Sequence, residues 1–224
     1  MEAYQQEFIE FALQREVLRF GEFTLKSGRV SPYFFNTGRF DTGECLARLG
    51  RYYAQAIASS GVEYDMLFGP AYKGIPLVAA IAIGISEVSG RDVPYCFNRK
   101  EAKDHGEGGQ TVGAKLDGRV LIVDDVVSAG TSARESVEII STAGATPVGI
   151  AISLDREERG TGTSSATQEI QSSMGLDVVK IVGLGELVSF LENDTDRGDA
   201  LTACLLYTSP SPRDQRGSRM PSSA

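Results

Sequence analysis

Cysteine is scarce in this chain: Cys45, Cys96 and Cys204 are the three among 224 residues. Odd in number and widely spaced, they offer neither a disulfide framework nor a zinc-type spacing, and a reducing compartment is expected. Long hydrophobic runs are missing too. The longest, Ile75 to Ile85, is too short to span a bilayer and holds Pro76 and Gly84, so no membrane partner is expected. Positive charge is in deficit: 22 Lys and Arg against 30 Asp and Glu give a net charge of −8. That argues against a nucleic-acid surface, although it leaves room for a local basic pocket. Met1 to Gln6 is polar, so no leader is expected and the chain is read as cytoplasmic. No Gly-Lys-Ser/Thr phosphate loop occurs, and Gly160-Thr161-Gly162 lacks the third glycine of a dinucleotide fingerprint. Asp41-Thr42-Gly43 spells an aspartic-protease triplet, but it opens a helix and has no second copy. No cluster of His, Cys and carboxylate residues suggests a metal held by the protein itself.

What remains has the composition of a soluble globular protein, 42% hydrophobic and 23% charged, long enough for one domain with a sizeable core or two small ones. Glu2 to Phe20 carries apolar residues at a helical period. Phe23–Leu25 and Tyr33–Asn36 read as short strands around Lys26-Ser27-Gly28-Arg29. Asp41, with Glu44 three residues on, marks a helix start, and that helix runs to about Ser59 before Gly61. Strands are then expected at Tyr64–Phe68, Pro94–Asn98, Arg119–Asp124, Val148–Leu154 and Val178–Val182. They alternate with helices at Ile75–Val88, Ser132–Ala143 (capped by Ser132 and Glu135), up to Met174, and at Gly185–Glu192. The expected fold class is α/β: a central, mostly parallel sheet flanked by helices, with a small cap over it from residues 1–40 plus about 157–183. Residues 1–200 form this single domain. Leu205 to Ala224 is rich in Pro, Ser and Arg and shows no period, so residues 201–224 are read as a tail foreign to the domain or disordered, with a native basic tail as the other reading.

Val120 to Ser132 carries the most chemistry. An apolar strand, Val-Leu-Ile-Val, delivers Asp124 and Asp125 to its end, and Val126-Val127-Ser128-Ala129-Gly130-Thr131-Ser132 leads into a helix. Gly130 permits a tight turn. The loop's N–H groups and the helix N-terminus make a phosphate cradle. The paired acids beside it suit sugar hydroxyls as hydrogen-bond acceptors. A phosphate site next to a diol site describes a ribose 5-phosphate. Val-Leu-Ile-Val alone would equally fit an ordinary buried strand; the two acids and the hydroxyl-rich loop would not.

This thirteen-residue run resembles the signature loop of the type I phosphoribosyltransferases, which bind phosphoribosyl pyrophosphate. Four more segments resemble the orotate phosphoribosyltransferases, over residues 3–195. In residues 24–36, Lys26 matches a lysine near the reacting centre, and Phe34 and Phe35 match a pair lining the orotate pocket. Adjacent strand residues face opposite ways, so one of these rings is also expected in the core. Residues 70–76 match a pyrophosphate turn, with Tyr72 and Lys73 as contacts. Residues 98–109 pack Arg99, Lys100, Lys103 and His105, the chain's single histidine, into a stretch that resembles a mobile catalytic loop. Arg156, at a strand end, matches the arginine that grips orotate's carboxylate. Position 128 departs from the pattern, with Ser128 where threonine is usual, keeping the hydroxyl that contacts orotate.

The resemblance implies an enzyme joining orotate and phosphoribosyl pyrophosphate into orotidine 5′-monophosphate and pyrophosphate, in pyrimidine (UMP) synthesis. It implies Mg²⁺ riding on the pyrophosphate, and a homodimer whose loops close over each other's sites. Lys26, Lys103, His105, Asp124 and Asp125 are the implied catalytic set. Two other readings stay open. A purine phosphoribosyltransferase would share the loop but has no use for Arg156, since purine bases carry no carboxylate. A regulator that only senses phosphoribosyl pyrophosphate would be expected to carry a basic face.

Overall fold

The central strands are unbroken apolar runs whose successive side chains point to opposite faces, so both faces of the sheet are buried. The computed structural model describes residues 1–24, 30–100, 110–127, 130–157, 165–194 and 197–208. Its elements are α1 (Ala3–Gln14), β1 (Leu18–Thr24), β2 (Val30–Phe35), α2 (Gly43–Ser60), β3 (Met66–Gly69), α3 (Gly74–Ser89), β4 (Tyr95–Asn98), β5 (Thr111–Gly113), β6 (Arg119–Val123), α4 (Thr131–Thr142), β7 (Thr146–Asp155), α5 (Ala166–Met174), β8 (Asp177–Gly183), α6 (Leu184–Glu192) and α7 (Gly198–Thr208). Six strands form one sheet in the order β5-β4-β3-β6-β7-β8. It is parallel throughout except for β5, which lies antiparallel on β4. Leu67, Leu121, Val123 and Ala151 face a core shared with α1, α2, α3 and α6. Their neighbours Met66, Phe68, Val120, Ile122, Ile150 and Ile152 face the other way, onto Ala133 and Ile140 of α4 and Ile170 of α5. The period of two places helices on both faces, as expected.

β1 and β2 form a separate antiparallel hairpin. The expected turn at its tip, which includes Lys26, lies outside the described residues.

Several local expectations are corrected. The first helix stops at Gln14 rather than Phe20, because Glu16 adopts a left-handed φ of 55° that no right-handed helix continues; Leu18 then opens β1. Helix α2 is capped not by Asp41 but by Thr42, whose hydroxyl accepts from the Cys45 N–H at 3.2 Å. The polar stretch after β4 hides a short strand, β5. The last strand, β8, belongs to the main sheet beside β7 rather than to a cap over it. Helix α7 crosses the expected domain end at residue 200: Ala200 and Leu201 pack on the core and Cys204 is fully buried.

Helices α2 and α3 meet backbone to backbone. A Cβ on Gly50 would lie 2.1 Å from the Ala80 carbonyl oxygen, and one on Gly84 would lie 2.4 Å from the Gly50 carbonyl carbon. This approach matters downstream, since α2 carries Tyr53 and α3 begins directly after Lys73. Gly84→Ala is therefore expected to cost about 2–3 kcal/mol by overpacking. Calorimetry on the variant should show a Tm lower by roughly 5–10 °C; an unchanged Tm would mean that the helices separate without penalty.

Candidate active site

From β3 the chain moves outward to β4 on one side, and from β6 outward to β7 and β8 on the other. The strand order thus reverses between β3 and β6, and the crevice beyond their carboxyl ends is where open α/β sheets bind ligands. Both loops there carry charge. After β6 come Asp124 and Asp125; after β3 comes Gly69-Pro70-Ala71-Tyr72-Lys73, leading into α3. That turn is tightly wound: a Cβ on Gly69 would lie 2.2 Å from the Gly74 carbonyl oxygen. Its amide at Ala71 donates to Oδ1 of buried Asn98, at the end of β4, at 2.6 Å.

The two loops join at Asp125. Lys73 Nζ lies 2.5 Å from Asp125 Oδ2, and Thr37 Oγ1 donates to the same oxygen at 2.8 Å. The other oxygen, Oδ1, accepts from the Val126 N–H at 2.9 Å. Asp124 points elsewhere, with Oδ1 accepting from the Asp125 N–H at 2.8 Å. The backbone below is clamped. Tyr53 OH donates to the Asp124 carbonyl at 2.7 Å, while Ser153 Oγ and N–H donate to the Asp125 carbonyl at 2.6 and 2.9 Å. A cavity of about 160 Å³ opens beside the pair, lined by Thr37, Tyr53, Lys73, Pro76, Leu77 and Asp125 among others.

These environments drive the two acids apart. Burial, reinforced by the Asp125 charge, pushes the Asp124 carboxyl up to about 6, against bonds from Asp125 and the Ser132 hydroxyl that favour its ionised form. Burial would raise Asp125 as well, but the bonds from Lys73 and Thr37 and the lysine charge outweigh it, holding this carboxyl below the usual carboxylate range. Between the ordinary 3.8 and about 6, the folded chain holds a proton on Asp124 that the unfolded chain has lost. Stability from this group therefore falls as pH rises through that window. Asp124→Asn removes the charge and keeps an acceptor. Its expected effect at pH 7.5 is stabilisation on the order of 1–3 kcal/mol, disappearing below about pH 4. Thermal melts at the two pH values check this, and a lower Tm at pH 7.5 would contradict it.

The remaining site residues fall in several places. Tyr72 is 71% exposed beside Lys73. Arg99 is half-buried, and its Nη1 has no partner among the described residues. Lys100 pairs with Glu135 on α4 at 3.4 Å. The Arg156 guanidinium donates to Ser31 Oγ at 3.1 Å and lies 4.9 Å from the Tyr33 ring centre, tying the end of β7 to the hairpin. Phe35 packs on the core near Phe8, whereas Phe34 packs against Phe23 with the Arg19 guanidinium over it; the expected division of this pair into core and non-core holds. Val126 and Val127 send their side chains into the two opposite cores. The Val126 N–H is engaged by Asp125, so it is not among the open donors of the loop. Gly130, at φ 68°, precedes Thr131 and caps α4 without a side-chain bond. The expected Ser132–Glu135 capping box is corrected accordingly: Ser132 turns to Asp124 and Glu135 to Lys100, and among the described residues no side chain at the N-cap bonds the first N–H groups of α4. Lys26, Lys103, His105, Ser128 and Ala129 lie outside the described residues.

Thr37, Tyr53, Asn98, Ser31 and Ser153 escape a sequence reading. For Ser153 a signal exists, a hydroxyl in an otherwise apolar buried strand. For Thr37 none stands out beyond the turn residues around it.

Comparisons with known proteins place the chain in a family with this fold. The family model of the phosphoribosyl transferase domain matches residues 40–183. An orotate phosphoribosyltransferase of Thioalkalivibrio sulfidiphilus is 63% identical over 207 residues, covering 92% of this chain and 97% of the relative. One from Yersinia enterocolitica is 59% identical over the same shares. The crystal structure of the Francisella tularensis orotate phosphoribosyltransferase superposes with a TM-score of 0.82 at 44% identity, covering 90% of this chain and 96% of that one. A strand-end acid pair at the switch point, an open helix N-terminus behind it and likeness over nearly the whole length lead to one conclusion: the chain belongs to the phosphoribosyltransferases, in the orotate phosphoribosyltransferase family.

Proposed function

We propose that the crevice between β3 and β6 is one phosphoribosyl pyrophosphate site, and that the chain uses it to transfer ribose 5-phosphate to orotate, giving orotidine 5′-monophosphate and pyrophosphate in pyrimidine synthesis. The observation that carries this reading is the acid pair, with Asp125 gripped by Lys73 across the switch point and Asp124 facing the start of α4. Asp124 and Asp125 accept the ribose hydroxyls. The loop from Val127 through Ser128, Ala129 and Gly130 to Ser132 takes the 5′-phosphate on backbone N–H groups. Lys73 and Tyr72 face the pyrophosphate, joined by Arg99, Lys100, Lys103 and His105 drawn from both chains of a dimer. Orotate lies against the hairpin, with Phe34, Phe35 and Lys26 at the ring, Ser128 at its edge and Arg156 on its carboxylate.

The bond from ribose C1 to the pyrophosphate oxygen breaks ahead of attack by an orotate nitrogen, with inversion. Positive charge grows on the sugar beside the acids, and negative charge grows on the leaving pyrophosphate beside the cations. The protein's work is positioning and stabilising those charges. Among the described residues no group of three or more His, Cys, Asp or Glu side chains lies close enough to hold a cation by itself. By the family resemblance a Mg²⁺ ion would ride on the pyrophosphate, held mostly by the substrate, where it would neutralise phosphate charge. No helix among the described residues is long and apolar enough to cross a membrane. Exposed Tyr72, Ile83 and Tyr95 support a second copy docking nearby to complete the site.

The direct test is loss of orotate absorbance on mixing the protein with phosphoribosyl pyrophosphate and Mg²⁺. Adenine, hypoxanthine and uracil should give no comparable turnover, and a preference for a purine would overturn the assignment. Lys103→Ala should cut kcat by about 100-fold or more while KM values move far less; equal changes in both would remove the loop from transition-state work. Mixing Lys103→Ala chains with Asp124→Ala/Asp125→Ala chains should restore about a quarter of the wild-type rate, for random pairing into two-fold dimers. No recovery would mean that each chain's site is complete without its neighbour.

A further inference from the structure

Thr37 is the one side chain among the described residues that joins the hairpin segment to the acid pair. It opens a single 3-10 turn, Thr37–Arg39, two residues past Phe35 and the end of β2. That turn is held in place: Asn36 Oδ1 accepts from the Gly38 N–H at 3.0 Å, the Asn36 N–H donates to the Val17 carbonyl at 2.8 Å, and the Phe40 N–H donates to the Thr37 carbonyl at 3.0 Å. From this anchored backbone, Thr37 Oγ1 donates to Asp125 Oδ2 at 2.8 Å, on the oxygen that also takes Lys73 at 2.5 Å.

Two donors on one carboxylate oxygen matter because their fates differ. Under the proposed function Lys73 turns to the pyrophosphate when substrate binds, and it is 61% exposed with room to do so. Asp125, at 12% side-chain exposure, stays in the crevice and would lose its cation as it takes up a ribose hydroxyl. Thr37 sits on a clipped turn and has no such second task. We propose that Thr37 is a positioning residue for phosphoribosyl pyrophosphate: its hydroxyl keeps Asp125 aimed at the ribose once Lys73 has left, and it ties ribose placement to the strand bearing Phe34 and Phe35. This inference rests on the functional reading above.

Steady-state kinetics on Thr37→Val and Thr37→Ser test it. Valine keeps the branched shape without the donor. A hydrogen bond to a charged group is worth about 1.5–3 kcal/mol, so loss of the hydroxyl is expected to raise KM for phosphoribosyl pyrophosphate roughly 10- to 100-fold. KM for orotate should stay within about twofold, and serine should restore the lost affinity to within about threefold of wild type. Asp125→Asn alone and combined with Thr37→Val completes a double-mutant cycle: if Thr37 acts through Asp125, the double variant is no worse than Asp125→Asn. Wild-type affinity in Thr37→Val overturns the proposal. So does equal damage by valine and serine, which would mark a packing role, and so does simple additivity in the cycle. A wild-type protein that fails to turn over orotate would instead overturn the functional reading.

Discussion

Two neighbouring carboxylates in a half-buried crevice repel each other, and the ion pair between Asp125 and Lys73 is what lets them coexist in this fold. The lysine comes from the β3 turn and the acid from the end of β6, two strands that are adjacent in the sheet but distant in sequence. With the lysine in place, one acid is held ionised and gripped on both oxygens, and the burden of burial and repulsion falls on the other, Asp124. An isolated exposed pair would contribute little. This one is worth more because its acid is nearly buried, and removing the cation would leave a poorly solvated charge in the crevice.

The scaffold serves that contact. β3 and β6 pair in parallel, so their carboxyl ends emerge side by side. Tyr53 and Ser153 occupy the carbonyls of Asp124 and Asp125 from below, leaving the acid side chains to face the crevice. The close approach of Gly50 and Gly84 brings α2 near enough for Tyr53 to reach, and it also sets where α3 begins and hence where Lys73 stands. Packing α2 against α3 and placing a single ammonium group are one problem here, because both depend on the same backbone contact.

The sheet, and the placing of Asp124, Asp125 and Lys73 at its strand ends, were readable because their signals are local. The unbroken apolar run Val120–Val123 ended by two acids, and the longer apolar stretch Ile75–Val88, each state their own structure. Boundaries failed where the deciding fact was not local. Glu16 takes a left-handed turn that its side chain does not announce. β8 reads the same in sequence whether it edges the main sheet or a cap, and only its pairing with β7 decides. Ser132 and Glu135 had the spelling of a capping box, but tertiary partners were stronger: an acid in need of a donor took Ser132, and Lys100 took Glu135. Helix α7 was missed because Pro-, Ser- and Arg-rich sequence follows closely and diluted its apolar signal. Thr37 and Tyr53 were invisible for a plainer reason: a hydroxyl or ring that serves a carboxylate tens of residues away leaves no trace in spacing.

The departure at the start of α4 is informative about function. A helix in a protein selected for stability alone gains from a side-chain cap on its first N–H groups. Here the cap position holds Gly130, and the two side chains best suited to capping are employed elsewhere. Asp124 likewise stays half-buried next to a like charge, when a neutral residue would cost the fold less. Both features leave polar groups with unspent capacity at the same mouth of the sheet: donors on the α4 side and an acceptor on the β6 side. A ligand that brings an anion and a hydroxyl a few ångströms apart satisfies both at once, which a plain phosphate or a plain sugar cannot. Under the proposed function, the stability forgone at this mouth of the sheet becomes selectivity for a sugar phosphate, and the asymmetry between Asp124 and Asp125 is the clearest trace of that exchange.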